Sequence, residues 1–189
     1  MNDFSGNTIW ITGASSGIGA ALAQALSRRG AKLILSARSA DKLEAVRQSC
    51  SEPDQHLCLI MDLADQNSVA TAWSHLQQLR REVDILINNA GMTQRALVAE
   101  TEMEVYRLLR EVNFVAAVDL TKKVLPAILK KGSGQIVAVS SLMGKFASPQ
   151  RSGYAAAKHA LQGFMDSLRA EVYDSGIHVL VASPGFVNT

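Results

Sequence analysis

Several kinds of chemistry are made improbable by what this 189-residue chain has little of. Its two cysteines, Cys50 and Cys58, are not in a C-x-x-C arrangement, so no disulfide framework or thiol redox pair is indicated, and a reducing compartment is the simpler expectation. The four histidines, His56, His75, His159 and His178, are scattered without ligand spacing, and no metal site is expected. A net charge of only +2 gives no reason to expect nucleic acid or an anionic membrane as a partner. Doublets such as Arg80-Arg81, Lys122-Lys123 and Lys130-Lys131 read as solvated helix faces. No apolar run approaches the length that spans a bilayer. The polar opening Met1-Asn2-Asp3-Phe4-Ser5-Gly6 lacks the charged and apolar regions of a secretory signal, so a soluble cytoplasmic protein is expected.

The remaining composition, 48% hydrophobic and 19% charged, is that of an ordinary globular chain long enough to enclose a core. Short β-rich runs at 8–12, 32–36, 56–61, 84–88, 135–140 and 178–182 alternate with segments of helical period at 17–29, 40–50, 66–81, 102–131 and 153–175. Runs such as Leu33-Ile34-Leu35 and Ile136-Val137-Ala138-Val139 are apolar on both faces, as in a parallel sheet covered by helices on either side. Repeated βα units imply an α/β fold with a doubly wound sheet and right-handed crossovers. No Pro/Gly-rich linker divides the chain, so residues 1–189 are expected to form one domain. In such sheets ligands bind beyond the carboxyl ends of the strands, so the motifs to weigh are those that follow strands.

The first strand is followed by Thr12-Gly13-Ala14-Ser15-Ser16-Gly17-Ile18-Gly19, which opens directly into Ala20-Ala21-Leu22. Glycines permit a tight turn and close backbone approach to phosphate, and a helix N-terminus offers free N–H groups and a positive dipole end. The spacing is neither G-x-G-x-x-G nor that of a P-loop. It is the TGxxxGxG form, and from this point the chain resembles the short-chain dehydrogenase/reductase family, a Rossmann-type fold. Further matches are Asn88-Asn89-Ala90-Gly91 after the fourth strand and Tyr154-x-x-x-Lys158 with Ser141 thirteen residues upstream. The resemblance runs along essentially the whole chain.

It implies a nicotinamide dinucleotide held by Gly13, Ser15, Ser16, Gly17, Ile18 and Gly19. Asp62 and Leu63 would lie at the adenine, although a capping or turn role for Asp62 is an equal reading. Asn89, Ala90 and Gly91 would border the adenosine ribose. Pro184, Gly185, Val187 and Thr189 would lie along the nicotinamide. The second strand bears on which dinucleotide is used. An NAD site places an acid there, but residues 31–40 contain no Asp or Glu, and Arg38 offers a bidentate partner for a 2′-phosphate. Asp41, the nearest acid, suits a helix N-terminus better. NADP(H) is therefore expected over NAD(H).

Residues four apart on a helix share a face, so Tyr154 and Lys158 are expected to lie side by side. A unit positive charge about 4 Å from a developing phenolate is worth roughly 4 kcal/mol at an effective dielectric of about 20, enough to bring a tyrosine into acid/base work. The family assigns Tyr154 to proton exchange, Lys158 to the nicotinamide ribose and the tyrosine charge, and a serine to the substrate oxygen. Ser141 fits that serine by spacing, with Ser140 as its competitor. Asn113, a poor residue for a helix interior, matches the family asparagine that interrupts a helix and holds a relay water.

The implied activity is hydride transfer between NADP(H) and a small-molecule carbonyl or alcohol. The alternatives are a non-catalytic dinucleotide-binding regulator or scaffold and, less favoured by the glycine spacing, an epimerase or dehydratase on the same fold. Family members continue past Thr189 into a substrate loop and a last strand, so the chain is expected to be a C-terminally incomplete form. The resemblance also suggests a homodimer or homotetramer paired through the helices at 102–131 and 153–175.

Overall fold

The first strand, β1 (Thr8–Thr12), shows why the sequence folds in layers. Its side chains alternate between two cores, Trp10 on one face and Ile9 and Ile11 on the other, all with no exposure. The computed structural model describes residues 3–187. With β2 (Lys32–Ala37), β3 (Leu57–Ile60), β4 (Ile85–Asn88), β5 (Gly134–Val139) and β6 (Ile177–Ala182), β1 forms one parallel sheet in the order β3-β2-β1-β4-β5-β6.

Helices α1 (Gly17–Ser27) and α2 (Ala40–Ser49) cover one face, where Ala23 and Leu43 meet Ile9, Leu33, Leu35 and Ile87. On the other face α3 (Gln66–Gln78), α5 (Ala116–Lys131) and α6 (Ser152–Glu171) bring Val69, Leu76, Leu120, Val124, Leu161 and Met165 against Trp10, Ile34, Leu86 and Ile136. Within that core the indole of Trp10 stacks on Trp73 at 6.3 Å and donates to Ser36 Oγ at 3.0 Å. None of the helices among the described residues is long and apolar enough to cross a membrane.

The doubly wound parallel sheet expected from the pattern is present. Two details of the helices differ from that reading. Helices end earlier than periodicity suggests where the backbone turns left-handed, at Gly30 after α1 and at Arg80 after α3. The segment 102–131 is not one helix. Here α4 (Met103–Arg110) runs into a π-helical turn at Glu111–Val115 before α5 begins. The cause is Asn113, whose Nδ2 donates to Leu109 O, the carbonyl one turn back, and so competes with the helical ladder. The sheet order reverses between β1 and β4, and the cleft lies there.

Candidate active site

The C-terminal ends of β1, β2, β4 and β5 border one open cleft of about 870 Å³. Its glycine turn is shaped by the chain's own packing. Gly13 has φ +65°, and a Cβ on it would lie 2.8 Å from Ala90 Cα. A Cβ on Gly19 would overlap the Gly13 carbonyl oxygen and come within 2.7 Å of Asn89 Nδ2. Gly19 thus sits behind the turn, while Gly13, Ser15, Ser16, Gly17 and Ile18 face the cleft. No side chain caps α1 at Ser16, so the N-terminus of that helix is left to the cleft. These features suit a pyrophosphate.

Thr12 joins the turn to the β4 end. Its Oγ1 accepts from the backbone N–H groups of Asn89 and Ala90, each at 3.0 Å, and Asn89 Nδ2 returns a 2.8 Å bond to Thr12 O. Along the rest of this end, Arg38 is exposed and has no carboxylate within 4 Å among the described residues, and Lys42 lies beside it on the cleft. Asp41 falls in the first turn of α2, and Ser39 caps that helix. Asp62 accepts from Ala64 N at 3.0 Å, so it holds a turn and also borders the cleft, as does Leu63. Gly91 lies at the β4 side of the cleft.

At the other end Tyr154 and Lys158 share a face of α6, with Lys158 Nζ 5.9 Å from the centre of the tyrosine ring. Lys158 is 3% exposed and donates to Val139 O at 2.9 Å. Burial favours its neutral amine and pulls its pKa down to about 8. Of the competing serines, Ser140 is the buried one. Its Oγ has no partner and lies so close beneath Gly144 that a Cβ there would meet it at 2.6 Å. Ser141 is half-buried and lines the same cleft as Tyr154, and its Oγ accepts from Met143 N at 3.2 Å, which leaves the hydroxyl proton free to donate.

Asn113 is buried. Both of its amide hydrogens are used, on Met92 O and Leu109 O at 3.0 Å each, and its Oδ1 accepts from Met92 N at 3.1 Å. Oδ1 and Lys158 Nζ both face the empty Cβ position of Gly91, at 2.8 and 3.5 Å. Pro184, Gly185 and Val187 close the cleft after β6, with Leu142 N donating to Pro184 O. Thr189 lies outside the described residues.

Several participants carried no local signal. They include Gln94, whose buried Oε1 accepts from Gly153 N at 3.0 Å and so ties the segment after Gly91 to the start of α6. Met92, Thr93, Leu108, Val112 and Arg151 line the chemistry end. Met92, directly after Asn88-Asn89-Ala90-Gly91, Val112, directly before Asn113, and Arg151, three residues before Tyr154, stood near enough to recognised motifs to have been found by spacing.

A family model described as short chain dehydrogenase matches residues 7–189. A dehydrogenase/reductase SDR family protein 7-like from Drosophila melanogaster is 44% identical over 100% of this chain and 59% of its own length. The human dehydrogenase/reductase SDR family member 7 is 43% identical over 96% of this chain and 55% of its own. The chain thus spans well under two thirds of these relatives. Among solved structures, a short-chain dehydrogenase from Streptomyces avermitilis superposes with a TM-score of 0.92 at 32% identity, covering 100% of this chain and 68% of that one. A candidate NAD(P)-dependent gluconate 5-dehydrogenase from Beutenbergia cavernae, with NADP bound at low occupancy, gives 0.89 at 33% identity, over 97% of this chain and 74% of that one.

Proposed function

The chain belongs to the short-chain dehydrogenases/reductases, and from that membership we propose that it is an NADP(H)-dependent oxidoreductase that interconverts a carbonyl and an alcohol. The observation that carries this reading is the buried Lys158 ammonium set against the Tyr154 ring on a cleft that also holds Ser141 and a glycine turn. When bound, the dinucleotide supplies the hydride, so that NADPH, a proton and a carbonyl become NADP⁺ and an alcohol.

The protein binds, orients and moves the proton. Gly13, Ser15, Ser16, Gly17 and Ile18, with the α1 N-terminus, receive the pyrophosphate, and Gly19 keeps that turn tight. Arg38 would hold the 2′-phosphate, for which its planar fork is suited, with Lys42 adding charge at the same end. Asp62 and Leu63 flank the adenine, Asn89, Ala90 and Gly91 the adenosine ribose, and Pro184, Gly185 and Val187 the nicotinamide. Tyr154 gives its proton to the carbonyl oxygen in reduction and takes it back in oxidation. Ser141 donates a hydrogen bond to the same oxygen and opposes its developing charge. Lys158 holds the nicotinamide ribose and lowers the cost of negative charge on Tyr154. Asn113 positions a water that links Lys158 to solvent.

The test is oxidation of NADPH and of NADH by the purified protein over a panel of ketones, aldehydes and quinones, beside Tyr154→Phe. We expect turnover that prefers NADPH and falls by about a hundredfold or more in the variant. A loss under about tenfold refutes Tyr154 as acid/base, and equal use of both dinucleotides removes the NADP(H) preference. Binding of NADPH with no turnover of any carbonyl would leave the non-catalytic regulator as the better reading.

A further inference from the structure

The charges along the cleft are unevenly paired. Its cations are Arg38 and Lys42 at the dinucleotide end and Lys158 and Arg151 at the chemistry end, and Asp62 is its single acid among the described residues. Lys158 is committed to Val139 O and the Tyr154 ring. Arg151 has no such commitment. It immediately precedes α6, one helical turn before Tyr154, is half-buried, and faces the same cleft as Tyr154 and Ser141.

Its Nη1 donates to Thr93 Oγ1, a neutral partner, and no carboxylate lies within 4 Å of the guanidinium among the described residues. A guanidinium partly withdrawn from water and paired only with a hydroxyl has donors to spare in a planar fork that suits an anionic oxygen group. Arg151, three positions before Tyr154, also lines the cleft that holds Tyr154 and Ser141. Met92, Leu108, Val112 and Leu142 add apolar side chains to the lining of the same cleft.

Resting on the oxidoreductase reading, we propose that Arg151 is the specificity-determining residue of the substrate end. The substrate is then a carbonyl compound that carries an anionic oxygen group, a carboxylate or a phosphate ester, a few bonds from the carbonyl on an otherwise apolar body. The anion takes no part in the redox step. It fixes which way the carbonyl faces, and the apolar lining excludes water from the remainder.

Three ketones of the same shape test this: para-acetylbenzoate, para-acetylphenyl phosphate and the neutral methyl para-acetylbenzoate. Binding of each to the NADPH-saturated protein is measured by titration calorimetry, and kcat/KM by NADPH oxidation, for the wild type, Arg151→Gln and Arg151→Lys. We expect at least one anion to be favoured over the ester by about tenfold or more, the scale of one charge-assisted pair, and comparison of the two anions shows which source fits. The preference should fall toward unity in Arg151→Gln and be partly kept in Arg151→Lys, which retains the charge but not the fork.

A wild type indifferent to charge, or one that binds none of the three ketones, overturns the proposal, as does a preference that survives in Arg151→Gln. So does an Arg151→Gln variant that loses NADPH binding instead, because the residue then serves the dinucleotide. Anion-selective binding with no turnover of any ketone would uphold Arg151 and refute the oxidoreductase reading. Turnover with no charge preference would do the reverse.

Discussion

Replacing Lys158 with methionine is expected to make this protein more stable near neutral pH while removing its activity. In the folded chain burial brings the lysine pKa from 10.5 to about 8, so below pH 8 the fold carries a buried charge that the unfolded chain keeps hydrated. A gap of about 2.5 pH units corresponds to about 3 kcal/mol of destabilisation. Methionine has a similar length and no charge. It forfeits the bond to Val139 O and the contact with the Tyr154 ring, together worth roughly 1–2 kcal/mol. The net gain is then about 1–2 kcal/mol for the dinucleotide-free protein at about pH 7.

The sign follows from proton counting. Between pH 8 and 10.5 the unfolded lysine is protonated and the folded one is not, so wild-type stability rises with pH at about 1.4 kcal/mol per unit. The advantage of Lys158→Met should therefore be largest below pH 8 and vanish or reverse as pH approaches 10.5. Urea unfolding of both proteins across this range reads the difference directly, and titrations common to both cancel. A variant less stable than the wild type at neutral pH, or a difference that does not change with pH, would refute the argument.

Three other perturbations have defined outcomes. Arg38→Asp should reverse the dinucleotide preference, because a carboxylate repels a 2′-phosphate and accepts from a 2′-hydroxyl; kcat/KM for NADPH and NADH with one carbonyl checks this. Gly19→Ala forces a Cβ into the Gly13 carbonyl and toward Asn89 Nδ2, so it should cost about 1–3 kcal/mol of stability and weaken dinucleotide binding, read by urea unfolding and by titration with NADPH. His56 accepts from Leu33 N at 3.2 Å through Nδ1, and its Nε2 donates to Ser51 O at 2.9 Å, which requires the neutral ring. Burial is the larger influence and pulls its pKa down, so stability should fall as pH drops below about 6.5 and level off beneath the lowered folded value. The same pH series on His56→Gln should lack this decline.

What the linear sequence determined about this protein is what depends on neighbours along the chain. Strand and helix alternation, the glycine turn between β1 and α1, and the shared face of Tyr154 and Lys158 follow from residues a few positions apart. Backbone periodicity alone relates such residues. What only the tertiary structure decided are contacts between segments far apart in sequence, because they depend on which strands lie side by side. Spacing favoured Ser141 over Ser140, and only the packing shows Ser140 Oγ buried without a partner beneath Gly144. The composition of the 102–131 run showed an out-of-place asparagine, but that Met92, brought alongside from the end of β4, occupies the rest of its amide was not legible there. Gln94 against Gly153 and Arg151 against Thr93 join the β4 end to the start of α6, and no local pattern encodes them. The depressed pKa of Lys158 likewise comes from the layer of helix and sheet that buries it, since desolvation is a property of the assembled core and not of the residues next to it in the chain.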